Sequence, residues 1–262
     1  MSKLEKASEL FETSFDVSQY FESLSSEITK KLLIEGILDE KVPLVFLLGE
    51  SGVGKTYMLN VVMATMEEKD FLFASEPFST PESFLQFLLK DYGYEKSMNL
   101  TELKEMAVDI YKYNKTVVMI DEAQLLSETV LEFIRILSDT NSFTFILSMH
   151  KKEGEELLQK QHFLSRNHRV VNLEKLADNE VLKYITSKLL QNNFGELAEM
   201  FTQKQVGYIQ KFSNGNFRNI KQILKHSFLI MDYATKNNHT KYATPTKCVI
   251  TMAAIDLGFI DV

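Results

Sequence analysis

The chain has 262 residues, 45% of them hydrophobic and 25% charged, which is enough to bury a sizeable core and rules out wholesale disorder. Gly (10) and Pro (4) are scarce, which excludes collagen-like and linker-rich classes, and a single Cys excludes an internal disulfide or a Cys-rich zinc site. The balance of 29 Lys plus Arg against 36 Asp plus Glu gives −7 and does not point to a dedicated polyanion binder.

The amino terminus carries no signal-peptide pattern and no apolar run is long enough to cross a bilayer, so a cytoplasmic location is expected. Within residues 20–38, Phe21, Leu24, Ile28, Leu32 and Leu33 recur at helical spacing. Residues 42–48 read as a buried strand closed by Gly49, residues 55–66 as a helix, and residues 71–74 as a second strand. Helical periodicity returns in 83–92 and 100–113. Residues 116–120 and 142–147 are β-branched and apolar, and residues 169–173 form a fifth strand candidate. Continuous apolar strands spaced by helices predict a parallel sheet covered on both faces.

Beyond residue 173 the character changes. No strand-type run occurs in 174–236, which alternates helical stretches (178–191, 194–201, 203–212, 217–236) with short polar joints. A polar loop at 237–245 and a last helix at 246–257 complete the chain. The expected organisation is an α/β domain over 1–173 and an all-helical domain over 174–262.

The strongest motif is the run Gly49, Glu50, Ser51, Gly52, Val53, Gly54, Lys55, Thr56, which fits G-x-x-x-x-G-K-[ST] between an apolar strand and a helix that continues with Tyr57. Glycines let successive backbone N–H groups point into one concavity at a helix start, which suits a triphosphate tail. Lys55 would reach the β- and γ-phosphates, and the Thr56 hydroxyl would ligate Mg²⁺. Some 65 residues on, an apolar strand ends in Asp121-Glu122. At that strand end Asp121 would hold the magnesium through water and Glu122 would polarise the attacking water. Together the two motifs imply nucleotide hydrolysis with ATP and Mg²⁺.

The stretch Asp121-Glu-Ala-Gln-Leu-Leu-Ser127 and the following Leu131-Glu-Phe-Ile-Arg-Ile-Leu-Ser138 resemble the AAA+ ATPases of the type II secretion pathway protein A (ExeA/GspA) family. More distantly the chain resembles the MuB/TniB transposition ATPases. Ala74-Ser-Glu-Pro77, Leu173-Glu-Lys-Leu176 and Ser213-Asn-Gly-Asn-Phe-Arg-Asn-Ile220 extend the resemblance over roughly residues 10–256. It implies a P-loop AAA+ sheet sandwiched by helices, followed by a helical lid. It also implies a sensor strand ending at Ser148-Met-His150, with His150 near the γ-phosphate where relatives place Gln or Asn; the alternative is a His150 that simply caps the strand end. Arg218 matches the lid arginine that reaches back to the γ-phosphate, while its bland alternative is a solvated helix start. Arg166 or Arg169, with Arg166 preferred, would supply an arginine finger to a neighbouring subunit. Residues 15–20 would border the adenine, as the segment before the first strand does in relatives.

Three functions follow from the resemblance. One is an ATP-driven motor or switch for a bacterial secretion, pilus-like or DNA-uptake (competence) machine. It would self-associate and, lacking the family's membrane helix and periplasmic part, act at the inner membrane through a membrane-bound partner. The second is a DNA-binding target-selection ATPase, disfavoured by the net −7; the third is a nucleotide-dependent binding module. Lys225, Lys236, Lys241 and Lys247, with Lys151-Lys152, give at most a modest local basic surface, and Cys248 reads as a buried small hydrophobe.

Overall fold

The computed structural model describes residues 1–12, 20–95, 97–113, 115–160 and 166–260. The chain divides into two compact units. One is α/β and comprises 24–50 and 55–173; the other is helical and comprises 1–23, 51–54 and 174–262.

In the α/β unit, β1 (Leu44–Leu48), β2 (Phe71–Ala74), β3 (Thr116–Ile120), β4 (Phe143–Met149) and β5 (His168–Asn172) form one sheet in the order β2-β3-β4-β1-β5, with every pairing parallel. Every residue of β1, β3 and β4 is buried, which is why these strands are continuously apolar rather than alternating. The order puts β4 between the two motif strands, in the register Leu48↔Met149 and Ile120↔Leu147. The carboxyl ends of β1, β4 and β3 therefore lie side by side.

The helices of this unit are α2 (Leu24–Leu38), α3 (Lys55–Thr65), α4 (Pro81–Leu88), α5 (Leu100–Tyr111), α6 (Glu128–Ser138) and α7 (Lys151–Leu158). Phe84, Leu88, Leu103, Ile134 and Leu137 from α4–α6 join Phe46, Phe143 and Phe145 of the sheet in one buried core. The helix α2 keeps the expected period, but of the apolar residues that marked it within the helix only Leu33 is buried. Leu24 (76%), Ile28 (51%) and Leu32 (37%) are exposed, while Ser26, Thr29, Leu33, Gly36 and Ile37 are buried. Close approach decides the matter: a Cβ on Gly36 would stand 3.0 Å from Val45 Cγ2, and Thr29 Oγ1 donates to the Asn172 carbonyl at 3.1 Å.

The helical unit holds α1 (Lys3–Glu9), α8 (Asp178–Gln191), α9 (Gly195–Ala198), α10 (Gln203–Ser213), α11 (Phe217–Lys236) and α12 (Lys247–Asp256). Predicted bounds for 178–191 and 217–236 coincide with α8 and α11. The amino-terminal residues belong here rather than with the sheet, a difference from a single cut at 173. The reason is aromatic: Phe11 stacks on Phe228 at 5.7 Å and meets Tyr184 edge-on at 6.0 Å. A capping box at Ser2 and Glu5 starts α1, and Glu12 pairs with Lys225 at 2.7 Å. Cys248 is exposed at the start of α12, not buried as its apolar neighbours suggested, because Val249 and Ile250 take the inward positions.

Candidate functional site

The loop after β1 turns through Gly52 (φ 73°) and Gly54 (φ 108°), and α3 begins at Lys55. Both angles lie in the left-handed region that only glycine enters freely, so Gly52 and Gly54 are conformational requirements. At Gly52 there is also no room: a Cβ would fall 2.2 Å from Asn216 Oδ1. Asn216 Nδ2 donates to the Ser51 carbonyl at 2.9 Å, and the Arg218 N–H donates to the Gly52 carbonyl at 3.2 Å. The tip Ser51–Gly54 accordingly groups with the helical unit.

Lys55 is 5% exposed, and its Nζ donates to the carbonyls of Gly49 (3.0 Å) and Glu50 (3.2 Å). Burial lowers its pKa, opposed by the negative charges of Glu122, Asp121, Glu50 and Glu153. The lysine therefore stands in an acidic neighbourhood built from β1, β3 and α7.

Asp121 follows β3, is 4% exposed, and is held from three directions. Thr56 Oγ1 donates to its Oδ2, while Ser148 Oγ (2.7 Å) and the Glu122 N–H (3.0 Å) donate to its Oδ1. A hydroxyl and a carboxylate facing each other beside a phosphate-type loop fit Mg²⁺, which takes one or two protein oxygens and leaves its other positions to water and phosphate. Among the described residues no group of three or more His, Cys, Asp or Glu could hold a metal by themselves.

Glu122 has φ 49° and ψ 39°, a left-handed backbone that a non-glycine residue adopts at a cost of about 1–2 kcal/mol. Its Oε2 accepts from Gln124 Nε2 and lies 3.6 Å from His150 Nε2. The other end of the Gln124 amide accepts from the His150 N–H at 3.4 Å. Only one orientation of that amide satisfies both contacts. Gln124 thus ties the Glu122 carboxylate to the end of β4, and His150 faces Glu122.

The remaining predicted residues fall in several places. Tyr57 is half-buried in the first turn of α3, and Ser51 and Glu50 are exposed. Arg218 is exposed in the first turn of α11. Arg166 makes a bidentate pair with Asp139 (2.9 and 2.7 Å), which holds the Asp139 carboxyl below its usual range and raises the arginine. Arg169 lies within β5 and donates to Glu35 at 3.3 Å. Residues 15–19 of the expected adenine border lie outside the described residues. Tyr20 lines a cavity of 540 Å³ in the helical unit with Phe21, Tyr184 and Lys188. Sequence reasoning did not assign Ser148, Gln124 or Asn216. Of these, Ser148 carried a signal, a hydroxyl at the buried carboxyl end of an apolar strand.

Residues 39–158 match the AAA domain family. No curated protein matches the chain in sequence. Solved structures do. Cdc6p from Pyrobaculum aerophilum is similar with a TM-score of 0.65 at 14% identity, covering 88% of this chain and 66% of that one. Drosophila ORC bound to DNA gives 0.65 at 14%, covering 96% and 65%. The Aeropyrum pernix ORC2 protein, solved as ADPNP–ADP complexes, gives 0.59 at 12%, covering 94% and 70%. The fold is that of the AAA+ P-loop ATPases. This chain spans about two thirds of the length of the first two structures, and at these identities the likeness concerns the fold. Among the described residues no helix is long and apolar enough to cross a membrane.

Proposed function

We propose that this chain binds and hydrolyses ATP with magnesium, and that the cycle switches its self-assembly and drives a bacterial secretion, pilus-like or DNA-uptake machine through a membrane-bound partner. The convergence of Lys55, Thr56, Asp121 and Glu122 at the carboxyl ends of β1 and β3 carries the ATP reading. In it the α/β unit is the nucleotide-binding domain and the helical unit is a lid.

The N–H groups of Gly49–Thr56 cradle the phosphates, and Lys55 exchanges its two loop carbonyls for phosphate oxygens. Thr56 directly and Asp121 through water would hold magnesium, which would supply positive charge against the phosphates. Glu122, fixed by Gln124, accepts the proton of the water that attacks the γ-phosphorus as the bond to ADP breaks. Arg166 acts in trans on a neighbouring copy once it leaves Asp139.

Steady-state ATP turnover, titrated in protein concentration with Mg²⁺ or with EDTA, tests this. Turnover per chain that rises with concentration and vanishes in EDTA is the expected result. No turnover at any concentration overturns the hydrolytic reading. Strong stimulation by duplex DNA puts the target-selection reading first.

A further inference from the structure

The net charge of −7 conceals two opposite regions. Residues 1–173 carry 18 Lys and Arg against 28 Asp and Glu, whereas residues 203–256 carry eight against two. Both acids of that second stretch are already engaged, Asp232 with Lys236 at 2.7 Å and Asp256 with His226 at 2.6 Å.

Two of the lysines share a helix face with an aromatic ring, and a third stands over that ring. Lys204, Tyr208 and Lys211 follow each other at i, i+4 and i+7, and so share one face of α10. From the start of α12, which packs against α10, Lys247 stands over the Tyr208 ring, 5.8 Å from its centroid. Lys204, Lys211 and Lys247 are exposed, and none of them has an acidic partner among the described residues. Six residues before Lys247, exposed Lys241 lies over Tyr242 in the same way, at 5.7 Å.

We propose that this face of α10 and α12 binds the phosphate backbone of nucleic acid. Uncompensated lysines around a partly buried aromatic ring suit a polyanion whose binding is driven by counterion release. A protein partner would want an apolar centre, and α10 has none: the exposed large apolar side chains of 203–256 are Leu229, Tyr233 and Ile255, on α11 and at the end of α12. Total charge argued against nucleic acid because the acids of the α/β unit, and those of residues 1–23 and 174–202, outweigh this surface in the sum. The inference does not rest on ATP hydrolysis.

The test uses the full chain, a labelled duplex DNA of arbitrary sequence, and fluorescence anisotropy over a salt series without nucleotide. Binding that weakens with salt is expected. In K204E/K211E/K247E it should drop at least about tenfold, with the log–log salt slope reduced by about 3 for three lost phosphate contacts. The milder K204Q/K211Q/K247Q, checked for an unchanged melting temperature, should show the same slope change and covers the case in which the charge reversal fails to fold. Equal affinity of variant and wild type, or no binding at low salt, overturns the proposal. So does a triple variant that loses self-association in sedimentation while duplex binding is unaffected, since the face would then meet the acidic unit of a second copy. Binding to vesicles of anionic lipid with none to duplex overturns it as well.

Discussion

The two units handle polar groups in opposite ways. In the α/β unit three polar side chains of the site are buried: Lys55 at the start of α3, Asp121 just after β3 and Ser148 in β4 are each at most 5% exposed, and they hold the more exposed Thr56 and Glu122 beside them. Removing such groups from water is costly unless each finds a partner, and here each does. In the helical unit the core is aromatic and aliphatic, and the cations stand outside it. The first arrangement concentrates electrostatic effect on a few atoms, which suits chemistry on one bond. The second spreads charge over a solvated face, which suits an extended partner. Substitutions should therefore act steeply in the first unit and shallowly, cumulatively and salt-dependently in the second.

The steepest effect is expected at Glu122. Glu122→Gln should cut turnover by about 10²–10⁴-fold while ATP still binds, since general-base assistance is worth that much. Single-turnover assays alongside a fluorescent nucleotide titration separate the two quantities, and normal turnover would remove Glu122 from the mechanism. Next comes Lys55→Ala, which deletes a buried ammonium and should weaken ATP binding by about 100-fold, the equivalent of one strong charge-assisted contact. Unchanged affinity by calorimetry would sink the phosphate-loop reading.

Gln124→Ala sharpens the contrast further, because Gln124 touches Glu122 only as its support. Turnover should fall about tenfold with ATP affinity unaltered, the signature of a base that has lost its aim. A loss of affinity equal to the loss of turnover would show a general collapse of the site instead.

The motifs were legible because each needs particular residue types at fixed spacing: glycines where φ is positive, and a carboxylate where an apolar strand ends. The sheet was legible because continuous apolar runs announce burial on both faces. What local pattern could not supply was the phase of burial and the company of distant segments. Periodicity found α2, yet the exposed stripe is Leu24, Ile28 and Leu32, since the backbone approach at Gly36 selects the face. Nothing local marks Phe11 as core, since its partner Phe228 lies more than two hundred residues away. Lys247 read as one of several scattered cations because its place over Tyr208 depends on how two helices pack, and Lys204 and Lys211 gave no local signal. Gln124 was read as part of a family signature, and its bridge to His150 appears only when β3 and β4 lie side by side.

The smallest expected effect on the isolated chain, and the finest test of the α/β unit, is at Arg166. Its bidentate pair with Asp139 is about half exposed on the acid's side, so Arg166→Ala should change the melting temperature little. Turnover discriminates. If Arg166 serves a neighbouring copy, Arg166→Ala lowers turnover in concentrated, assembled protein and leaves the dilute chain unchanged. Asp139→Ala then keeps or raises turnover, because it frees the arginine without removing it. If Arg166 serves only its own ion pair, the two substitutions behave alike at every concentration. The comparison needs both variants: loss of the arginine alone cannot separate a finger from a strut, whereas releasing it from Asp139 breaks the strut and spares the finger.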